Sequence, residues 1–431
     1  MNSLAVELNS ILEGTVVPRL LSDLGHRMYF PKGIVAQAAE AGQKAHRFNA
    51  TVGMAHAEGH PMTLPLIREL TGDLPTEETV AYAPTAGIPA LRDRWKTEML
   101  AKNPDLEGTA LTRPAVVPGL TAGLSVVGDL FVEPGDVVLL PDLFWGNYRL
   151  MFAERRQAQL REFAFFDGAG VFNRKAFADG ARAAAESGKL IVILNFPNNP
   201  AGFTPSSDDV VFIRKTLVGL AESVPVIVIT DDAYFGLFYD ENAFPQSLFS
   251  QLADAHPHLL AVKVDGATKE DYVWGFRIGF VTLGFQGMTT EHAAALEQKL
   301  TGTIRSMVSN SSRLSQSLLL RAMDDPRYVE QKAAAHDLLA GRFATLQTIL
   351  TDQRKQGRAP ALEALPCNSG YFMSFRCRGI SAEDLRLALL ERGVGTISVR
   401  DEYLRVAFAG IDASDLPALY EEVFQTAEEL A

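Results

Sequence analysis

An amine placed just beyond a β-strand can add to an aldehyde once its surroundings favour the neutral form. Lys269 holds such a position, because the apolar run from Leu259 to Val264 leads into Asp265-Gly266-Ala267-Thr268-Lys269. Arg277 follows in Trp274-Gly275-Phe276-Arg277-Ile278-Gly279-Phe280 and could grip a phosphate with two N–H groups. A solvated lysine and a surface arginine would account for the same two residues. The run from Val224 to Ile229 ends in Thr230-Asp231-Asp232-Ala233-Tyr234. Carboxylates there could ligate a metal, act as a base, pair with a cationic ring nitrogen, or simply cap a turn.

Three further stretches follow apolar runs. Pro118-Gly119-Leu120-Thr121-Ala122-Gly123 opens a helix, whose free N–H groups and dipole suit a phosphate, with Thr121 adding a hydroxyl. Pro141-Asp142-Leu143-Phe144-Trp145-Gly146-Asn147-Tyr148 offers Trp145 as a flat ring for stacking, or as core. In Asn195-Phe196-Pro197-Asn198-Asn199-Pro200-Ala201-Gly202, the prolines stiffen the backbone so that an Asn side chain can be held towards a ligand oxygen.

The elements that would carry these residues alternate. From about Leu120 to Leu283, apolar runs at Val137-Leu140, Leu190-Leu194, Val224-Ile229 and Leu259-Val264 are separated by helical stretches, the pattern of a mostly parallel sheet. Ligands in such α/β folds lie beyond the carboxyl ends of the strands, where these motifs fall. Leu4 to Ala41 reads as two or three short helices broken at Pro18 and at Pro31-Lys32-Gly33, forming an arm. Helices through about Leu350, short strands at Gly370-Arg376 and Tyr403-Phe408, and a helix from Ala382 to Arg392 suggest a small α+β unit; Thr351 to Pro360 reads as an exposed loop.

A net charge of -12 with no basic cluster argues against nucleic acid. No apolar stretch reaches membrane-spanning length, and Met1 to Glu13 lacks the pattern of a secretory signal, so the expected location is cytoplasmic. Cys367 and Cys377 have no metal spacing. His56-Ala57-Glu58-Gly59-His60 is not the H-E-x-x-H order, and Gly59 and Pro61 disfavour a helix, so no metal is expected.

Taken in order, Gly119-Leu120-Thr121, Trp145, Asn199-Pro200-Ala201-Gly202, Asp231-Asp232-Ala233-Tyr234, Lys269 and Arg277 resemble the class I/II aminotransferases of fold type I, the aspartate-aminotransferase type above all. The resemblance implies pyridoxal 5'-phosphate as cofactor, with Lys269 as its Schiff-base lysine and Asp231 keeping the pyridine nitrogen protonated. Asn199 and Tyr234 would bond the ring oxygen and Trp145 would stack. Gly119, Leu120, Thr121 and Arg277 would hold the phosphate. In Tyr82-Ala83-Pro84-Thr85-Ala86-Gly87, Tyr82 would reach the phosphate bound by a neighbouring subunit, which implies a homodimer with shared sites. Arg405 would take the substrate α-carboxylate. Arg305 would reach from the partner subunit to a distal carboxylate, favouring aspartate or glutamate.

The implied reaction moves an amino group from an L-amino acid to a 2-oxo acid through pyridoxamine phosphate, with ping-pong kinetics. The implied architecture is a large α/β domain over 71–312, with a seven-stranded sheet between helices. Residues 1–70 and 313–431 would form the arm and a smaller α+β domain. One departure stands out: the family carries Ser or Thr three residues before the lysine, and here Gly266 stands there, with Thr268 as partial compensation. A lyase or synthase of the same fold, and a cofactor-binding regulatory module, are the alternative readings.

Overall fold

The computed structural model describes residues 1–431 except Gly14, Val16, Phe30, Pro31 and Lys32. Seven strands form its main sheet: β1 (Ala115–Val117), β2 (Val137–Pro141), β3 (Gln159–Phe163), β4 (Leu190–Asn195), β5 (Val226–Asp231), β6 (Leu259–Asp265) and β7 (Gly279–Gly284), in the order β1-β7-β6-β5-β4-β2-β3. Strands β2 to β6 pair in parallel, and β7 runs antiparallel to both β6 and β1.

Every residue of β4 and of β5 is buried, as expected when a parallel strand is covered on both faces. Alternate residues face different helices. Leu139, Val192, Val228 and Ala261 pack with Phe177 and Ala181 of the helix Arg174–Ala185 and with Ile213 and Leu217 of the helix Ser207–Ala221. Val138, Ile191, Ile229 and Val264 pack with Leu124 and Val127 of the helix Leu120–Phe131 and with Leu300 and Ile304 of the helix Thr290–Val308. A capping box between Ser206 and Asp209 starts the helix Ser207–Ala221 where the Pro-rich segment ends.

A second, antiparallel sheet lies in the C-terminal part: β8 (Leu362–Ala364), β9 (Met373–Cys377), β10 (Ile397–Val399) and β11 (Tyr403–Val406), in the order β8-β9-β11-β10. Its core draws on Phe343, Leu346 and Leu350, on Leu385 and Leu389, and on Leu419, Tyr420 and Phe424. The N-terminal region joins it. Phe48–Asn49 pairs in parallel with Val394–Gly395, and Ala407 N–H donates to the Ala50 carbonyl at 2.8 Å. That tether brings Thr51 and Gly53 to the main sheet.

The arm contains the helices Ser3–Leu12, Asp23–Arg27 and Ile34–Lys44. The Pro31-Lys32-Gly33 turn, but for Gly33, lies outside the described residues. The expectation of a loop from Thr351 is corrected: the helix Arg327–Gln356 continues through it. It ends only at Gly357, whose left-handed backbone (φ 63°) lets its N–H bond the Arg354 and Gln353 carbonyls. Polar residues on the outer side of a long helix read like a loop. Strand β3 and β7 were also not separated out by the sequence pattern, β3 because only Phe163 of it is buried.

Candidate active site

The carboxyl ends of the parallel strands open into a cavity of about 340 Å³. Register sets Asn195 beside Asp231 and Asp231 beside Val264, so these strand ends deliver polar side chains at one level. Leu120, Thr121, Trp145, Asn199, Asp231, Tyr234, Lys269, Arg277 and Arg405 all line it.

Lys269 sits on the short helix Ala267–Glu270 directly after β6. Its Nζ donates to the Gly53 carbonyl at 2.7 Å and lies 5.3 Å from the centre of the Tyr234 ring. Burial lowers the amine to about 7, Arg277 and Arg405 push in the same direction, and Asp231 opposes them. The neutral, nucleophilic form therefore gains as pH rises through about 7.

Asp231 ends β5 and is buried. Its Oδ2 accepts the Tyr148 hydroxyl at 2.5 Å, its Oδ1 accepts the Ala233 N–H at 3.1 Å, and the Asn195 amide donates to its backbone oxygen at 2.7 Å. Burial pushes the carboxyl up to about 6 against the restraint of the first two bonds. A cation arriving at its free side would hold it ionised.

Arg405 is the converse case. It occupies β11, is buried, and donates from Nη1 to Asn199 Oδ1 at 2.9 Å and from Nη2 to the Thr51 carbonyl at 2.8 Å. Its Nε has no partner, and burial disfavours its charge. A carboxylate ligand would offset that cost. Close by, Gly119 precedes the helix Leu120–Phe131 with φ 86°, and a Cβ there would fall 2.6 Å from Arg277 Nη2. Glycine thus lets a guanidinium and a helix N-terminus meet, a cradle for an anion.

A family model described as aminotransferase class I and II matches residues 53–423. The chain belongs to that family. Its members are dependent on pyridoxal phosphate and act on amino and oxo acids. A probable aspartate/prephenate aminotransferase of Aquifex aeolicus is 26% identical over 263 residues, 58% of each chain. An aspartate aminotransferase of Pyrococcus horikoshii is 24% identical over 225 residues, 49% of this chain and 51% of that one. The chain therefore spans roughly half the length of the curated relatives it matches. In fold, the crystal structure of an aminotransferase from Anaerococcus prevotii aligns with TM-score 0.82 at 19% identity, covering 94% of this chain and 98% of that one. The Thermus thermophilus aspartate aminotransferase with maleate gives 0.74 at 19%, covering 94% and 99%.

The residues of this aminotransferase-family chain fit pyridoxal phosphate. Lys269 offers a depressed amine for the aldehyde, Asp231 a buried carboxylate for a cationic ring, and the Gly119–Arg277 cradle a seat for phosphate. Thr268 Oγ1 is buried without a hydrogen-bond partner, an orphan that a phosphate oxygen would satisfy. Gly266 has a packing reason: a Cβ there would lie 2.5 Å from the Ile278 carbonyl, so the missing hydroxyl has no room. Thr268→Val should weaken cofactor binding roughly tenfold in a titration of apoprotein, with little change in thermal midpoint.

Tyr82, 90% exposed, and Arg305, whose Nη1 donates to Ser309 Oγ at 2.6 Å, lie outside the cavity of their own chain. His56 and His60 sit on two-residue strands of a hairpin, and among the described residues no metal-holding cluster occurs. Sequence reasoning gave no role to Thr51, Gly53, Tyr148 or Phe372, whose ring lines the cavity 4.2 Å from the Arg405 guanidinium. Asn195 had a usable signal, since it ends an apolar run; the loop with Thr51 and Gly53 had none, because only the tether to Val394–Gly395 brings it in.

Proposed function

We propose that this chain is an aminotransferase that passes the amino group of an L-amino acid to a 2-oxo acid. The observation that carries the reading is convergence. A half-buried amine, a buried carboxylate that no cation pairs with among the described residues, and a buried guanidinium with a free N–H reach one cavity from the helix after β6, from β5 and from β11. Pyridoxal phosphate, when bound, supplies a ring that withdraws electrons from the substrate α-carbon. Arg405 holds the α-carboxylate through its planar fork, with Asn199 fixing its direction. Asp231 keeps a proton on the ring nitrogen. Lys269 Nζ, about half of it neutral at pH 7, takes the α-proton and returns it, with Gly53 O to steady it. Residues 71–312 would form the cofactor-holding domain, with 1–70 and 313–431 closing over it.

Two features support a homodimer with acidic substrates. Tyr82 is exposed and outside the lining of its own cavity, and Arg305 lies exposed near the end of its helix, where each could serve a second copy. Arg305→Ala should then lower kcat/KM for aspartate and glutamate by roughly 100-fold while sparing amino acids with uncharged side chains. Unchanged activity towards aspartate and glutamate would contradict that assignment.

The activity is tested with holoprotein and single amino acids. One equivalent of 2-oxo acid per bound cofactor, with further turnover only on adding a second 2-oxo acid, is the expected result. Continuous release of ammonia without an acceptor would instead mark a lyase.

A further inference from the structure

The side chain that bonds the Asp231 carboxylate is Tyr148, which is buried and closes the motif that carries Trp145. Its ring is gripped by three others. Phe144 stacks at 6.3 Å, Phe152 meets it edge-on at 6.4 Å, and Trp145 meets it edge-on at 5.7 Å with an interplanar angle of 83°. One residue thus touches two walls of the cavity, Asp231 through its hydroxyl and Trp145 through its ring.

We propose that Tyr148 is a positioning residue, whose hydroxyl keeps Asp231 ionised and aimed into the cavity while its ring seats Trp145. This rests on reading the cavity as a pyridoxal-phosphate site. The chemistry favours a phenol in this place. An O–H donor to a carboxylate stabilises the ionised form selectively, yet brings no positive charge of its own. A lysine or arginine there would pair with Asp231 and compete with a cationic ring nitrogen; a phenol leaves the full negative charge available. Burial and the Asp231 charge hold the phenol well above its ordinary range, so it remains a donor at all working pH values.

Other groups face Asp231 as well. Asp232, next in the chain, raises its proton affinity, although Lys263 is bonded to Asp232. Lys269 lowers it from the helix Ala267–Glu270, the Ala233 N–H does the same, and the Tyr234 phenol senses the Asp231 charge. Asn195 of β4 touches only the backbone oxygen. Among these, Tyr148 is the one side chain bonded to the carboxylate itself.

The test compares cofactor binding by apoprotein and the pH titration of the visible absorbance of holoprotein. Tyr148→Phe should weaken pyridoxal-phosphate binding roughly tenfold and move the acid midpoint of the absorbance up by about one unit or more. Incorporating 3-fluorotyrosine at position 148 keeps the shape but strengthens the donor, so the midpoint should move down. Phe152→Leu loosens the same aromatic packing without touching the hydroxyl and should leave the midpoint in place. An unmoved midpoint in Tyr148→Phe, or an equal shift in Phe152→Leu, overturns the proposal. Should Tyr148→Phe not fold, the fluorinated protein decides alone: a downward shift supports the role and no shift refutes it. A parent protein that binds no pyridoxal phosphate would overturn the reading of the cavity itself, and this role with it.

Discussion

A Lys269→Ala protein is expected to lose at least about 1000-fold in transamination rate, because under the proposed function one side chain serves both as cofactor anchor and as carrier of the α-proton. The loss should not come from unfolding. In the native chain the Lys269 amine is lowered from 10.5 to about 7, whereas the unfolded chain keeps the ordinary value. Between those two pH values the unfolded state binds a proton that the native state lacks, so this group opposes folding most at pH 7 and below, and not at all above about 10.5. Removing it should therefore raise the thermal midpoint of the apoprotein above the parent's at pH 7. Rate measurements and thermal melts on the same preparation check both halves; normal turnover in the variant would be incompatible with the role of Lys269.

Adjacent carboxylates should respond in opposite ways. Asp231→Ala is expected to reduce kcat/KM by roughly 1000-fold and weaken cofactor binding, since the ring loses the charge that holds its proton. Asp232→Asn should instead cost about 3–5 kcal/mol of stability, because it strips a partner from a buried charge. Asp232 belongs to a closed cluster. Lys263, fully buried, bonds Asp232 and lies 3.3 Å from Asp265, Ser247 Oγ donates to Asp232 at 2.5 Å, and Trp95 Nε1 donates to Asp265 at 3.2 Å. Steady-state kinetics and denaturant titration of the two variants separate the roles, and a stable but inactive Asp232→Asn protein would reverse them.

This doublet also shows how far the sequence could be read. The apolar runs located β2, β4, β5 and β6, and the strand-end rule located the cavity, because a doubly covered parallel strand leaves little choice of residue. Period-two alternation turns successive side chains to opposite faces, so only one of Asp231 and Asp232 can point into the cavity; the pattern alone does not say which. Lys263 passed as one more member of an apolar run, and its partners emerged only when register set it beside Thr230, one residue before Asp231. Tyr148 was quoted in its motif but given no task, since its bond to Asp231 spans 83 positions and no local spacing encodes it. Arg405 was found from a motif, whereas its supports Asn199 and the Thr51 carbonyl depend on packing of the C-terminal sheet against the N-terminal tether.

Reduction of pyridoxal-phosphate-loaded protein with borohydride converts an imine to a stable amine and leaves the cofactor where it was attached. Peptide mass mapping should then find the added mass on Lys269 and absent from the buried Lys263 and from Lys102 and Lys332, which are engaged with carboxylates. A label on another lysine, or no label on a protein that retains full activity, would contradict the assignment of this cavity.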